Sequence, residues 1–327
     1  MFSFLYKTLP YAPSVDRLLL LARFVRAHNR IPRNPARTGA TFNDLIFGRL
    51  VKADWNNLER FCIDKEYVKF FAQGVCPDVR TARTVDVIRF DREAGFEAAE
   101  SVLLARAGTD LVAKPTHGSG MVLFLRKTPL REEIHRFCVA ASESYYRRSR
   151  ENLYAGLERK ILLEEDLSED EQPPVDYKFF CARGKVLFGQ IDVDRFAHHQ
   201  RALVTPAFER MDVRYMHDTP TRPLGRPANF EQMVDAAAKL SRFFSFVRVD
   251  LYSVRGAVFL GELTLAPEGG AGSLSDESFG ARVMADIRKA NEGGRPAFAG
   301  TAFPEDKPLV SGGERRKRRG RLAGGQL

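Results

Sequence analysis

The sequence predicts an α+β chain of two layered units, on three observations. Strand-like runs pair across short Gly-containing turns, amphipathic helical runs stand between them without a regular βαβ repeat, and an acidic, Pro-containing stretch at 166–175 divides the pattern. At 327 residues the chain has room for about two ordinary domains or one large composite fold. With 44% apolar residues, 25 Phe and one Trp, it has ample core material. That excludes a disordered chain.

The first element, over 14–28, has Ser14 as an N-cap and Leu18, Leu21, Phe24 and Val25 at spacings of three and four. Pro and Arg at 31–39 predict an extended connection. A polar, aromatic-bearing helical region follows at 41–75, and a helix at 96–107 ends at Gly108. Strands at 111–114 and 121–126 flank a loop at 115–120. Thr128 caps a helix with Pro129 in its first position and Leu130, Ile134, Phe137, Cys138, Ala141 and Tyr145 along one face. A strand at 160–165 closes this half. Beyond the acidic loop come strands at 177–182 and 186–192, joined by Arg183-Gly184. Asn229 and Gln232 have capping-box spacing before a helix with Met233, Val234, Ala237 and Leu240 inward. Strands at 246–253 and 257–264 join at Arg255-Gly256, and a Gly-rich stretch, 268–272, follows.

The formal charge of +9 is confined to the ends. Residues 1–40 hold seven basic groups against Asp16 alone, and residues 311–327 hold six against Glu314, so the body between them is slightly acidic. The basic balance therefore gives no ground for a nucleic-acid partner. Cys62, Cys76, Cys138 and Cys181 are far apart without a C-x-x-C pair, which fits reduced thiols rather than a zinc site or disulfide framework. The best apolar run, 18–22, lies between Arg17 and Arg23 and is too short to span a membrane. The helix over 14–28 reads as an ordinary packed helix or, in the alternative, as a basic helix resting on an anionic membrane.

Three constellations carry potential chemistry. In Lys114-Pro115-Thr116-His117-Gly118-Ser119-Gly120, two glycines allow backbone N–H groups close to an anion, with Lys114 as counter-charge. An ordinary hairpin loop explains the same residues, and the spacing matches neither a P-loop nor a dinucleotide fingerprint. Arg248, Asp250 and Tyr252 share one strand face, as do Glu262 and Thr264, and folding about Arg255-Gly256 brings Asp250 opposite Glu262 to within a residue. Two such carboxylates suit Mg²⁺. The other reading is Asp250 paired with Arg248 and Glu262 at a sheet edge. Lys178, Arg195 and Arg201 are candidate counter-charges to phosphoryl or carboxylate oxygens, or else solvated arginines. The adjacent His198 and His199 point to opposite faces of an extended segment, which argues against a metal cluster.

Taken in order, 42–44, 64–69, 114–120, 176–181, 192–196, 246–252 and 261–264 resemble the TupA-like branch of the ATP-grasp superfamily, named for teichuronopeptide biosynthesis. The resemblance covers roughly residues 40 to 280. It implies an ATP-grasp fold, with a small lid and a larger α+β subdomain holding ATP and Mg²⁺ between their sheets. It divides the chain into a basic helix and linker at 1–40, a helical region at 41–108, a lid at 109–167, a metal-binding subdomain at 168–285 and an extension with a basic disordered tail at 286–327.

By position, Lys114, His117, Gly118, Ser119 and Gly120 would hold ATP phosphates, with Glu164, Glu165 and Leu167 at the adenine hinge. Asp250 and Glu262 would hold Mg²⁺ with Thr264, which stands where the wider superfamily commonly has Asn. Lys178, Arg201 and Arg248 would be catalytic, and Lys178 would also contact the nucleotide. The implied reaction joins a small-molecule or polymer carboxylate to an amine in cell-envelope assembly, in the cytoplasm or peripherally at the inner membrane surface, with the basic termini contacting anionic membrane or polymer. The rival readings are a phosphotransferase of the same fold acting on a sugar hydroxyl, and a non-enzymatic basic tether.

Overall fold

The computed structural model describes residues 6, 8–90, 94–170, 172–194 and 198–292, all within the compact unit Met1–Arg295. The basic tail at 311–327 and the segment Arg195-Phe196 lie outside the described residues.

Two sheets organise the chain. The smaller has four antiparallel strands in the order β2 (Thr84–Arg89), β5 (Lys160–Glu165), β3 (Leu111–Pro115), β4 (Leu123–Phe124). Helices α5 (Ala94–Ala105) and α6 (Arg131–Ser142) accompany it, and Ala99, Leu103, Ile134, Phe137, Cys138 and Ala141 join Ala113, Ile161 and Leu163 in one core. The larger sheet has the order β1 (Arg80–Thr81), β10 (Ala257–Thr264), β9 (Val247–Val254), β6 (Asp176–Ala182), β7 (Lys185–Val193), β8 (Gln200–Val204), with only β1 parallel to its neighbour. A second, larger core forms around it.

Period-two alternation gives the large sheet two different faces. One buries Phe179, Val247, Val249 and Leu251, covered by α8 (Phe230–Ser241), with Phe230 5.7 Å from the Phe179 ring. The other changes character along its length. At one end Phe180, Phe188 and Phe246 meet Phe42 of α2 (Phe42–Lys52) and Tyr215 in an aromatic cluster, with α9 (Glu277–Asn291) adding Phe279. At the other end the same face carries Asp176, Lys178, Gln190, Asp192, Arg248 and Asp250. The apolar end anchors the sheet and the charged end opens on a cleft.

The N-terminal helix α1 (Pro13–His28) lies across this assembly. Arg150 is fully buried and donates to the carbonyls of Tyr6, Leu9 and Pro10 and to Asp16 Oδ1. Arg23 Nη2 reaches the Gly269 carbonyl at 2.8 Å and Nη1 reaches Glu151 at 3.3 Å. All four cysteines are free and buried, and burial pushes the Cys138 and Cys181 thiols up to about 12.

Several sequence expectations shift. Ala12, not Ser14, caps α1, and the helix buries Leu19, Leu20 and Phe24 while Leu18 and Val25 face solvent, because Asp16 turns inward to Arg150. The strand expected at 121–126 contracts to β4 followed by a 3-10 turn, Leu125–Lys127, which Thr128 closes at φ +48°. Helix α6 therefore starts at Arg131, with Leu130 exposed and Glu133 folding back on the Leu130 N–H. Asn229 does not cap α8 with its side chain; it accepts from Ser253 Oγ and donates to the Gly256 carbonyl, fastening the β9–β10 turn. Residues 80–89 carry β1 and β2 inside the region expected to be helical, and β8 and α9 were not anticipated.

Candidate active site

Between the sheets lies a cleft of about 500 Å³. Strands β3 and β5 contribute Val112, Lys114, Leu162 and Glu164 from one side; β6, β9 and β10 contribute Lys178, Arg248, Asp250 and Glu262 from the other. Glu165, Asp166 and Leu167, at and just beyond the end of β5, and Ser119 and Gly120 of the glycine loop, complete its rim.

The carboxylate pair depends on a bulge. Leu260 pairs with Leu251, but the register then shifts so that Glu262, not Gly261, stands opposite Asp250. In unbroken register Glu262 would turn to the opposite face. Gly261 is required at the bulge because a Cβ there would lie 2.9 Å from the Tyr252 ring. On the next strand Lys178 pairs with Asp250, so the row runs carboxylate, carboxylate, ammonium across three strands.

Asp250 is both paired with Arg248 and set opposite Glu262. Arg248 grips it through Nε and Nη2, each at 2.7 Å, while Asp250 also faces Glu262 across the ladder. Lys178 Nζ lies 3.1 Å from Asp250, 2.9 Å from Asp176 and 3.8 Å from Asp192. Thr264 Oγ1 donates to Glu262 and accepts from Arg248, both at 3.2 Å. Arg201 binds Asp192 at 2.7 Å and Glu268 at 3.3 Å. Burial opposes ionisation of Glu262, but Lys65, Arg248 and Lys178 hold its carboxyl well below the usual range. Asp192 is held down likewise, against burial, by Lys178 and Arg201.

The lid-side candidates divide. Lys114 Nζ lies 2.6 Å from Glu164, which Lys69 approaches equally closely from α4 (Tyr67–Val75). Glu164 is thus an ion-paired strand residue between two lysines, held ionised by them against its burial. His117 does not line the cleft. Its Nε2 lies 3.2 Å from the Glu143 carbonyl and its Nδ1 3.4 Å from the Lys160 N–H, and burial lowers its pKa, so it serves as a neutral anchor for the loop base. Gly118 turns its carbonyl to Lys65 at 2.5 Å, packed against Tyr145.

Residues without an assigned role from sequence also reach the cleft: Lys65, Lys69, His199, His217, Glu151 and Glu268. Lys69 projects from α4 and Lys65 from the turn just before it, so their four-residue spacing is not a helical-face signal. His199 points inward, 3.2 Å from Asp192 and with its ring 3.8 Å from that of His217 at a 34° tilt, while His198 is exposed, in keeping with their opposite orientations. Glu268 could not have been read from sequence, since it sits at φ +51° in a left-handed turn.

The donor set fits a hard divalent cation bound jointly with phosphate. Asp250 and Glu262 offer oxygen on adjacent strands, whereas no group of three or more His, Cys, Asp or Glu in metal-binding arrangement occurs among the described residues. Mg²⁺ usually takes one or two carboxylates and completes its shell with phosphates and water.

A small antiparallel sheet with a lysine strand and glycine loop, closed over a larger sheet bearing paired carboxylates, is the architecture of the ATP-grasp enzymes, ligases that use ATP and Mg²⁺. The family model described as TupA-like ATPgrasp matches residues 97–287, and the chain belongs to that family. No match is found among curated proteins. Among solved structures, the ATP-grasp ligase PsnB complexed with minimal precursor is similar at 11% identity over 70% of this chain and 61% of that chain, TM-score 0.34. D-alanine–D-alanine ligase from Bacillus anthracis complexed with ATP is similar at 13% identity over 72% and 69%, TM-score 0.39. The enzyme from Helicobacter pylori is similar at 15% over 69% and 58%, TM-score 0.39. The chain thus spans about three fifths of PsnB. The fold assignment rests on the family match and the strand order rather than on these overlays. No helix among the described residues is long and apolar enough to cross a membrane.

Proposed function

We propose that the chain is an ATP- and Mg²⁺-dependent carboxylate–amine ligase acting through an acyl phosphate, in assembly of a cell-envelope polysaccharide or teichuronopeptide-type polymer. The observation that carries this reading is the direct pairing of Glu262 with Asp250, beside Lys178 and across the cleft from Lys114. Val112, Phe124 and Leu162 give the adenine an apolar wall near Glu164, Glu165 and Leu167. Lys114 leaves Glu164 to meet the phosphates, which Ser119 and Gly120 cover, with the base of the loop anchored through His117. Asp250 and Glu262, with Thr264, hold Mg²⁺, which supplies positive charge to the phosphate oxygens when bound.

A substrate carboxylate attacks the γ-phosphorus and ADP departs; an amine then displaces phosphate from the acyl phosphate. Carboxylate is a poor electrophile, and phosphorylation gives it a leaving group. Lys178 and Arg248 balance negative charge on the phosphoryl side, and Arg201 steadies the acyl phosphate and its tetrahedral successor. Closure of the loop excludes water from the intermediate. The basic termini offer contact with anionic membrane or polymer, keeping the enzyme peripheral to the inner face of the membrane.

Titration calorimetry with Mg²⁺ and a non-hydrolysable ATP analogue is expected to give binding that Lys114→Ala weakens at least tenfold and Asp250→Asn makes insensitive to Mg²⁺. Incubation with ATP and candidate acceptors should give an amide and free phosphate by mass spectrometry. A stable phosphoester, or unaltered binding in both variants, would refute the assignment.

A further inference from the structure

Residues 64–65, outside the stretch matched to the family, grip the glycine loop at three points. The Lys65 N–H donates to the Thr116 carbonyl at 3.3 Å, Thr116 Oγ1 donates to Asp64 Oδ2 at 3.2 Å, and Lys65 Nζ donates to the Gly118 carbonyl at 2.5 Å. The first two secure the base of the loop. The third reaches toward its tip, and the same ammonium lies 3.2 Å from Glu262 Oε2 on β10. One side chain therefore joins the lid loop to the carboxylate read above as a metal ligand.

We propose that Lys65 is a positioning residue that stands as counter-cation to Glu262, holds the glycine loop over it, and yields that carboxylate when a divalent cation binds. The inference rests on the reading of Glu262 as a metal-binding residue. The geometry favours exchange over a permanent pair. Lys65 is 14% exposed and Glu262 26% exposed at the side chain, so neither charge is sealed in, and the ammonium stem is flexible. A cation arriving at Glu262 meets repulsion from Lys65 until the ammonium swings aside, and its departure frees the Gly118 carbonyl. Metal occupancy and loop release are thus coupled through a single group. Arg248, 3.7 Å from Glu262 and committed to Asp250 by two bonds, has no comparable freedom.

Mn²⁺ serves as probe, its free concentration followed by electron paramagnetic resonance on the full-length protein without nucleotide. Lys65→Met, which keeps the stem and removes the charge, is expected to bind Mn²⁺ about fivefold more tightly, the scale of a partly exposed ion pair. Backbone amides at 118–121 should exchange faster in this variant, and Lys65→Arg should restore wild-type values of both. Unchanged affinity and exchange in a folded Lys65→Met would overturn the proposal. If that variant does not fold, amine acetylation of the wild-type protein decides: Lys65 labelling that rises with Mn²⁺ supports exchange, and constant labelling refutes it. Glu262→Gln separates the two levels. Wild-type Mn²⁺ affinity there removes the metal reading and this proposal together; lost affinity there beside an inert Lys65→Met removes only the exchange.

Discussion

Asp192 is a buried carboxylate ion-paired with Arg201 at 2.7 Å and Lys178 at 3.8 Å, with the His199 ring at 3.2 Å. Its folded pKa lies below its unfolded value, so the stability it contributes is fully present above the ordinary carboxylate range, about pH 4, and is lost as pH falls through the folded value. Glu262 titrates in the same sense. These two carboxylates should accordingly add a fall in the urea midpoint below about pH 4, beyond the earlier loss that begins at about pH 6.5, where the buried neutral His117 would have to ionise. Asp192→Asn should be less stable at neutral pH and have a shallower acid limb; an acid limb as steep as that of the wild type would contradict this account. The residue types at this site were readable from alternation along each strand. Their partners were not, since Lys65 and Glu262, or Lys69 and Glu164, meet only through the tertiary fold.

At the scale of elements, the hairpins were legible because period two and a glycine turn coincide, as at Arg183-Gly184 and Arg255-Gly256, both left-handed in the structure. The helix starts were less so. Thr128-Pro129 has the composition of an N-terminus, yet a 3-10 turn takes it first. The bulge at Gly261 left no mark beyond the glycine itself, which is why pairing could be stated only to within a residue. Gly269 gives a sharper test. Its φ of +56° and a would-be Cβ 2.3 Å from Arg23 Nη2 and 2.8 Å from Glu151 Oε1 mean that a side chain would strain the turn and displace the pair linking α1 to the cleft. Gly269→Ala should cost about 1–3 kcal/mol in denaturant unfolding, and an effect under about 0.5 kcal/mol would show that the turn relaxes freely.

At the scale of the molecule, two separate cores flank the cleft, so loss of packing in one need not reach the other. Ile134 is fully buried in the smaller core, and Ile134→Ala should cost about 2–5 kcal/mol. Hydrogen exchange should place the added opening in β3 and β5 while β6 and β9 stay protected; uniform loss would mean that both cores unfold as one. Arg150 sets a constraint of another kind. Its guanidinium collects the carbonyls of Tyr6, Leu9 and Pro10, some 140 positions earlier in the chain. During synthesis those residues are made long before Arg150 exists to receive them. Tyr6, Leu9 and Pro10 gain their buried receptor only once Arg150 is made, so their docking belongs to the late, long-range contacts of folding.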